Sequence, residues 1–244
     1  MTGNEIIITG QRSVGAVDEL VKHGASICDT GERIDFISRQ FLGTAYQETT
    51  LVGTEFIEEV FAVNLEGVDC FTYVDYIEAM RLAETFREFK EVLKKIRYRC
   101  GVVAFGNRNH FFSDWRDFNK DYVEDVTSSI GLQNTMTVTK TLNLREDGTR
   151  FVAGIDPVQR EITYIPSSSL DDRVAGRLKT GDYIGIYSEI EGLDVSHVGI
   201  FVREGDSIIL RHASSKKDYR KVVDQDFMEY VRNMPGIVVL RPKG

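Results

Sequence analysis

The chain has 244 residues, 42% of them hydrophobic and 10% aromatic, which is enough apolar material for one sizeable core. Thirty Lys and Arg against 38 Asp and Glu leave a net charge of −8 and a pI near 5.2, which argues against nonspecific binding to nucleic acid or to an anionic membrane surface. No apolar run approaches the roughly 18 residues of a membrane helix, and three cysteines, Cys28, Cys70 and Cys100, leave at least one thiol unpaired and suggest no disulfide framework.

The N-terminal MTGNEIIITG reads as a strand or a tail. It lacks the basic start and apolar core of a secretory signal, which predicts a cytoplasmic chain as the sequence stands, or a periplasmic one if a leader has been trimmed. Residues 14–24 predict a short helix ending at glycine and residues 31–42 another, while residues 51–64, with Phe56, Val60, Phe61 and Val63, read as strand or loop. Residues 70–82 predict a helix, because Phe71, Val74 and Ile77 recur at three-residue steps; Phe86, Phe89, Val92, Leu93 and Ile96 mark an amphipathic helix after it. The C-terminal part is strand-rich, at residues 183–187, 197–202, 207–212 and 237–240, with a helix around 224–233. Helices first and sheet second predict an α+β architecture in a single catalytic domain, residues 1–244, with the Cys70 helix packed on an antiparallel sheet.

Cys70 falls in the first turn of its predicted helix. Backbone N–H groups and the positive helix end favour a thiolate there, lowering the thiol from its free value of about 8.5, and offer donors to an oxyanion. Taken alone, a cysteine in apolar surroundings is as a rule a small buried hydrophobe. Two histidines change that balance. The strands 197–202 and 207–212 are separated by Arg203-Glu204-Gly205-Asp206, and a four-residue loop closing symmetrically pairs Val202 with Ser207 and His197 with His212. Directly opposed residues share a face with Cβ atoms about 4.5–5.5 Å apart, near enough for one imidazole to hydrogen-bond the other. The plainer reading of such a pair is a satisfied polar contact or half a metal site. The chain has only four histidines, however, and two in one hairpin beside a helix-start cysteine favour Cys70 as nucleophile, His197 as general base and acid, and His212 as the group that fixes the tautomer of His197.

Two further segments carry chemistry. RNHFFSDW, residues 108–115, offers Asn109, His110 and Trp115 as flat and hydrogen-bonding surface for a sugar, or else is an aromatic-rich loop covering the core. SSKKDYRK, with Lys216, Lys217, Arg220 and Lys221, is a basic run in an acidic chain, able to hold a carboxylate or simply a solvated loop. Asp69 reads as a helix cap.

The cysteine at a helix start, HVGI on a strand and HAS at the end of the next resemble the NlpC-type branch of papain-like cysteine peptidases, bacterial enzymes that cut peptide or amide bonds of peptidoglycan. FLGTAYQETTLVG, residues 41–53, resembles that family's segment upstream of the cysteine, in which a tyrosine borders the active site; Tyr46 is the matching position. Together with VNLEGVDCFTYV, AFGNRNHFFSDW, GDYIGIYSEIEGLDVSHVGIFV and LRHASS, the set resembles more closely a branch long catalogued as a domain of unknown function and assigned as N-acetylmuramoyl-L-alanine amidase-like, from about residue 36 to 240.

The resemblance implies a papain-like fold and hydrolysis of the amide between the muramic acid lactyl group and L-alanine, on soluble anhydro-muropeptides released during wall turnover. It implies peptidoglycan fragments as partners, and no metal or other cofactor. Against the small peptidases of the superfamily, residues 100 to about 166 form an inserted lobe in which specificity is expected to reside. The small members cut between D-glutamate and the diamino acid of the stem peptide. A stem-peptide endopeptidase, an acyltransferase and a non-catalytic wall-fragment binding module therefore stay open beside the amidase, and the oligomeric state is not legible.

Overall fold

The computed structural model describes residues 5–244 and divides into two compact units. The first runs to Arg108 and adds Arg211–Asp224 and Gly244; the second comprises Asn109–Leu210 and Gln225–Lys243. Among the described residues there are eight α-helices and twelve strands, a mixed α+β content.

The first unit begins β1 (Glu5–Ile8), α1 (Val14–Ser26), α2 (Thr30–Arg39), β2 (Ala45–Tyr46), β3 (Phe61–Asn64), β4 (Gly67–Val68), α3 (Cys70–Arg81) and α4 (Phe86–Arg97). Each of its helices starts on a side-chain cap that satisfies an otherwise orphaned amide: Ser13 Oγ accepts from Ala16 N, Asp29 Oδ1 from Glu32 N and Thr85 Oγ1 from Glu88 N, at 3.1, 2.9 and 3.2 Å. Of the apolar stripe expected on α4, Phe86, Phe89, Leu93 and Ile96 are buried and Val92 is only partly so.

Helix α3 departs from the amphipathic expectation. Every residue from Thr72 to Arg81 is buried, because the helix is enclosed on several sides. Tyr73 meets Phe41 edge-on at 5.7 Å, Tyr76 packs against Phe41 and Phe89, and the Tyr76 hydroxyl accepts from the Asn64 amide at the end of β3. Charges on such a helix need partners. Arg81 pairs with Glu78, and Arg97 of α4 donates to Asp75 at 2.9 Å and to the Ala62 carbonyl at 2.7 Å.

The strands beside α3 are not an antiparallel sheet, as expected, but a mixed one. β2 pairs in parallel with β4, Ala45 opposite Gly67 and Tyr46 opposite Val68, and antiparallel with β11 (Lys221–Asp226), Lys221 opposite Ala45. Parallel pairing needs a long crossover, and residues 47–66 supply one.

The second unit contains α5 (Phe112–Phe118), β5 (Val123–Asp125), α6 (Thr127–Gly131), β6 (Met136–Leu142), β7 (Val158–Pro166), α7 (Asp172–Ala175), β8 (Tyr183–Tyr187), β9 (Val195–Glu204), α8 (Phe227–Val231) and β12 (Gly236–Pro242). β10 (Ser207–Ser214), like β11, has residues in both units. Its sheet runs in the order β9-β8-β12-β7-β6, antiparallel throughout, with β5 pairing β12. Ile165, Ile186, Phe201, Phe227 and Ile237 sit in the core of this unit. The stretch expected as an inserted lobe supplies β5, β6 and β7, and β5 and β7 bond to β12, so it is built into this sheet instead of standing apart.

Between β9 and β10 the turn is only Gly205–Asp206, with Gly205 at φ +58°. The four-residue loop assumed for the histidine hairpin is therefore two residues too long. β10 starts at Ser207 as expected, but β9 runs two residues further, to Glu204, and the ladder arithmetic that set His197 directly opposite His212 loses its premise.

Candidate active site

Cys70 is the first residue of α3, partly exposed, and the turn before it is built for it. Asn64 Oδ1 accepts from the amides of Glu66 and Gly67, closing the β3–β4 turn. At Gly67 a Cβ would stand 2.5 Å from Gln47 Oε1, so a side chain there would force Gln47 aside. Asp69 then caps the helix: its Oδ1 accepts from Phe71 N at 2.9 Å and Thr72 N at 2.7 Å, while Thr72 Oγ1 accepts from Asp69 N at 3.1 Å. Burial pushes the Asp69 carboxyl up, opposed by the bonds from Thr72 and Phe71 and by the charge of Arg97. The Tyr73 amide donates to the Asp69 carbonyl. These bonds correct the expectation that several helix-start amides await an oxyanion, since those of residues 71 to 73 are spent on Asp69.

Tyr46 lies on the middle strand of the β4-β2-β11 group. Its amide donates to the Arg220 carbonyl at 2.9 Å and the next amide, of Gln47, to the Val68 carbonyl at 3.0 Å. Its ring is half-buried under the Arg220 guanidinium, 4.9 Å from the centroid. The hydroxyl is pushed up to about 12, first by burial and then by the charges of Cys70, Asp69 and Glu48, with Arg220 opposing. Tyr46 is thus within electrostatic reach of Cys70 and remains a neutral donor through the neutral range.

His212 is 1% exposed, in the first-unit part of β10. Its neighbour Arg211 is 0% exposed and was not singled out by sequence. The guanidinium grips Asp224 with two bonds of 2.7 and 2.9 Å, and donates to Asp35 Oδ1 at 2.7 Å and Ser38 Oγ at 2.9 Å. Arg211 therefore ties β10 to α2 and β11. Successive strand residues face opposite ways, so this anchor lies on the face away from His212. A charged residue in the middle of an apolar strand pattern was the signal available.

In the second unit His197 stands opposite Ile186 of β8, with its ring 6.3 Å from that of Tyr230 on α8. The ladder is irregular just beyond, between Ile186 and Tyr187. The loop that leads into β9 is held by Lys140, a buried residue of β6 whose ammonium donates to the carbonyls of Ser188, Ile190 and Leu193. Asp194 completes the hold, accepting from Ser113 N at the start of α5 at 2.6 Å and from Val195 N at 2.7 Å; burial pushes its carboxyl up.

Of the sugar-facing candidates, His110 is partly exposed and Asn109 is buried. Trp115 is corrected outright. It is 0% exposed, stacked on Phe112 at 6.1 Å and edge-on to Tyr183 at 5.5 Å, and offers no ring face to a sugar. Cys70, Tyr46 and His212 thus belong to the first unit, and His197, Asn109, His110 and Trp115 to the second. Among the described residues no group of three or more His, Cys, Asp or Glu side chains is placed to hold a metal ion, no disulfide forms, and no helix is long and apolar enough to cross a membrane.

The sequence profile of the AmiA-like family, described as N-acetylmuramoyl-L-alanine amidase-like, matches residues 36–237. The chain belongs to that family. Tyr46, Cys70, His197 and His212 all fall inside the amidase-like span. A crystal structure of a Legionella pneumophila protein, 23% identical over 94% of this chain and 95% of its own, superposes with a TM-score of 0.79 and shows the same fold. Two crystal structures of an N-acetylmuramoyl-L-alanine amidase from Bacteroides uniformis are 25% and 26% identical, cover 88% of this chain and 99% of theirs, and give TM-scores of 0.71 and 0.72. No curated protein matches the chain.

Proposed function

We propose that the chain is a cysteine amidase of the NlpC-type, papain-like kind. It hydrolyses the amide between N-acetylmuramic acid, in the anhydro form released by wall turnover, and L-alanine in peptidoglycan fragments. The observation that carries this reading is Cys70 at the start of a capped, buried helix with the Tyr46 hydroxyl in electrostatic reach, inside the amidase-like span.

In this mechanism the Cys70 thiolate attacks the lactyl carbonyl carbon and forms a tetrahedral oxyanion. The amides of residues 71 to 73 are committed to Asp69, so the donors to that oxyanion come from outside that set. Collapse breaks the C–N bond. His197 supplies the proton to the departing alanine amine, leaving a thioester, and then takes a proton from the water that hydrolyses it. His212 orients His197, and the Arg211 anchor holds the strand that carries His212. Asn109 and His110 serve the glycan side, with specificity residing in the stretch from residue 100 to about 166.

The test is mass spectrometry of products after incubation with purified anhydro-muropeptides. Release of an intact stem peptide with a free L-alanine amine, lost in Cys70→Ala and His197→Ala by about 10³-fold or more and reduced less in His212→Ala, is the expected result. A cut within the stem selects an endopeptidase. Turnover that survives in Cys70→Ala ends the cysteine mechanism.

A further inference from the structure

We infer that Arg220 is the side chain that recognises a carboxylate on the leaving-amine side of the substrate, beside the amide that Cys70 attacks. The inference rests on the amidase reading for the substrate's identity and on the first unit alone for its geometry.

The position of Arg220 comes from the sheet. Its carbonyl accepts from the Tyr46 amide, and Tyr46 in turn stands opposite Val68, two residues before Cys70. Neighbouring strands lie about 4.8 Å apart, so roughly 10 Å separates the Arg220 backbone from that of Val68. The guanidinium leans back over the intervening Tyr46 ring, 4.9 Å from its centroid. That ring is the one whose hydroxyl responds to the charge of Cys70.

Arg220 is also held in a conformation that a free loop would not choose. Its φ is +47°, in the left-handed region that is unfavourable for a non-glycine residue. Its amide donates to the Lys216 carbonyl at 2.9 Å and its carbonyl takes the Tyr46 amide, so the backbone is fixed at both ends. The side chain, in contrast, is replaceable in its pairing. Nη1 meets Glu48 at 3.1 Å, with both side chains largely exposed, and an exposed pair of this kind costs little to open. A substrate carboxylate can take the place of Glu48 while the stack on Tyr46 stays, and the planar fork of arginine suits a carboxylate with two bonds.

The chemistry of the substrate decides which side of the amide is read. On the acyl side the only carboxyl of the lactyl group is consumed in the amide, and the sugar is neutral there. On the amine side the stem peptide carries free carboxylates. Arg220 belongs to a basic run with Lys216, Lys217 and Lys221, a local exception in a chain whose net charge of −8 repels such an anion elsewhere.

The experiment uses two muramoyl peptides that differ only in a carboxylate or a carboxamide on the residue after alanine. The wild-type protein should prefer the carboxylate by about tenfold in kcat/KM, mostly through KM. Arg220→Gln should bring that preference close to one, Arg220→Lys should restore part of it, and Glu48→Gln should widen it. A preference unchanged in Arg220→Gln overturns the inference. A second measurement separates this from failure of the amidase reading: the rates of Cys70 alkylation by iodoacetate and by iodoacetamide, followed on the Cys70 peptide so that Cys28 and Cys100 do not contribute. At low ionic strength the iodoacetate to iodoacetamide ratio should fall about threefold in Arg220→Gln and rise in Glu48→Gln. If the wild-type protein cuts neither muramoyl peptide, the amidase reading fails, while an unchanged alkylation ratio still overturns the role of Arg220.

Discussion

The surroundings of His212 and those of His197 are held by opposite kinds of anchor. Beside His212 a buried cation gathers two carboxylates: Arg211 is enclosed, and Asp35 and Asp224 reach it from α2 and β11. Before His197 a buried cation gathers backbone: Lys140 holds three carbonyls of one short loop. An ion cluster that joins three elements stabilises the unit as a whole, because breaking it strands charges. An ammonium on the carbonyls of a single loop stabilises chiefly that loop. The strand bearing His212 is thus locked by charge pairs into its unit, while the loop before His197 hangs on Lys140 through its carbonyls and on the Ser113 amide through Asp194.

Two substitutions test that contrast, and a third probes Tyr46. Arg211→Met leaves Asp35 and Asp224 without their common partner, and should cost about 3 kcal/mol in urea unfolding, the lower end for a broken buried pair because both carboxylates keep some access to water. A loss below about 1 kcal/mol would mean that water replaces the guanidinium and the anchor is weak. Lys140→Met should cost less, about 1–3 kcal/mol, and its effect should be local. Hydrogen exchange would show faster opening at residues 188–195 with little change in β12; a uniform rise across the second unit would remove the distinction between the two anchors.

The smallest effect is expected at Tyr46. Burial above all pushes its hydroxyl up to about 12 in the folded chain, from an ordinary value of about 10. A raised folded value means that the neutral phenol contributes stability below pH 10, and that this stability is lost as pH rises through 12. Melting temperature followed from pH 9 to 12 should therefore fall more steeply in the wild type than in Tyr46→Phe. Parallel curves would place the hydroxyl in an ordinary environment, away from the charges at the start of α3.

Some of this was legible in sequence because local rules sufficed. The Cys70 helix begins at the predicted residue, since Asp69 and Thr72 form a cap from neighbours only three apart, and α4 buries most of the predicted stripe. Strand 183–187 is where its apolar run placed it, and the two histidine strands were found at the right places but with too long a turn. β6 and β7 went unread because MTVTKTL buries Lys140 where an alternating strand would show an apolar residue, and VQREITYIP buries Ile162, Tyr164 and Ile165 only in its second half. Trp115 was a sugar candidate beside the alternative of a core aromatic, because aromatic residues look alike in sequence whether they line a cleft or a core.

By itself, then, the sequence determined the helix that presents Cys70, the strands that carry His197 and His212, the mixed α and β content, and membership of the amidase-like family. Only the tertiary structure decided the buried tryptophan, the parallel pairing beside Cys70 and the partners of the buried charges. The physical reason is distance along the chain. Caps and periodicities act over three or four residues, whereas Arg211 meets Asp35 across 176 positions, and no local pattern marks which of 38 acidic side chains a buried arginine will find.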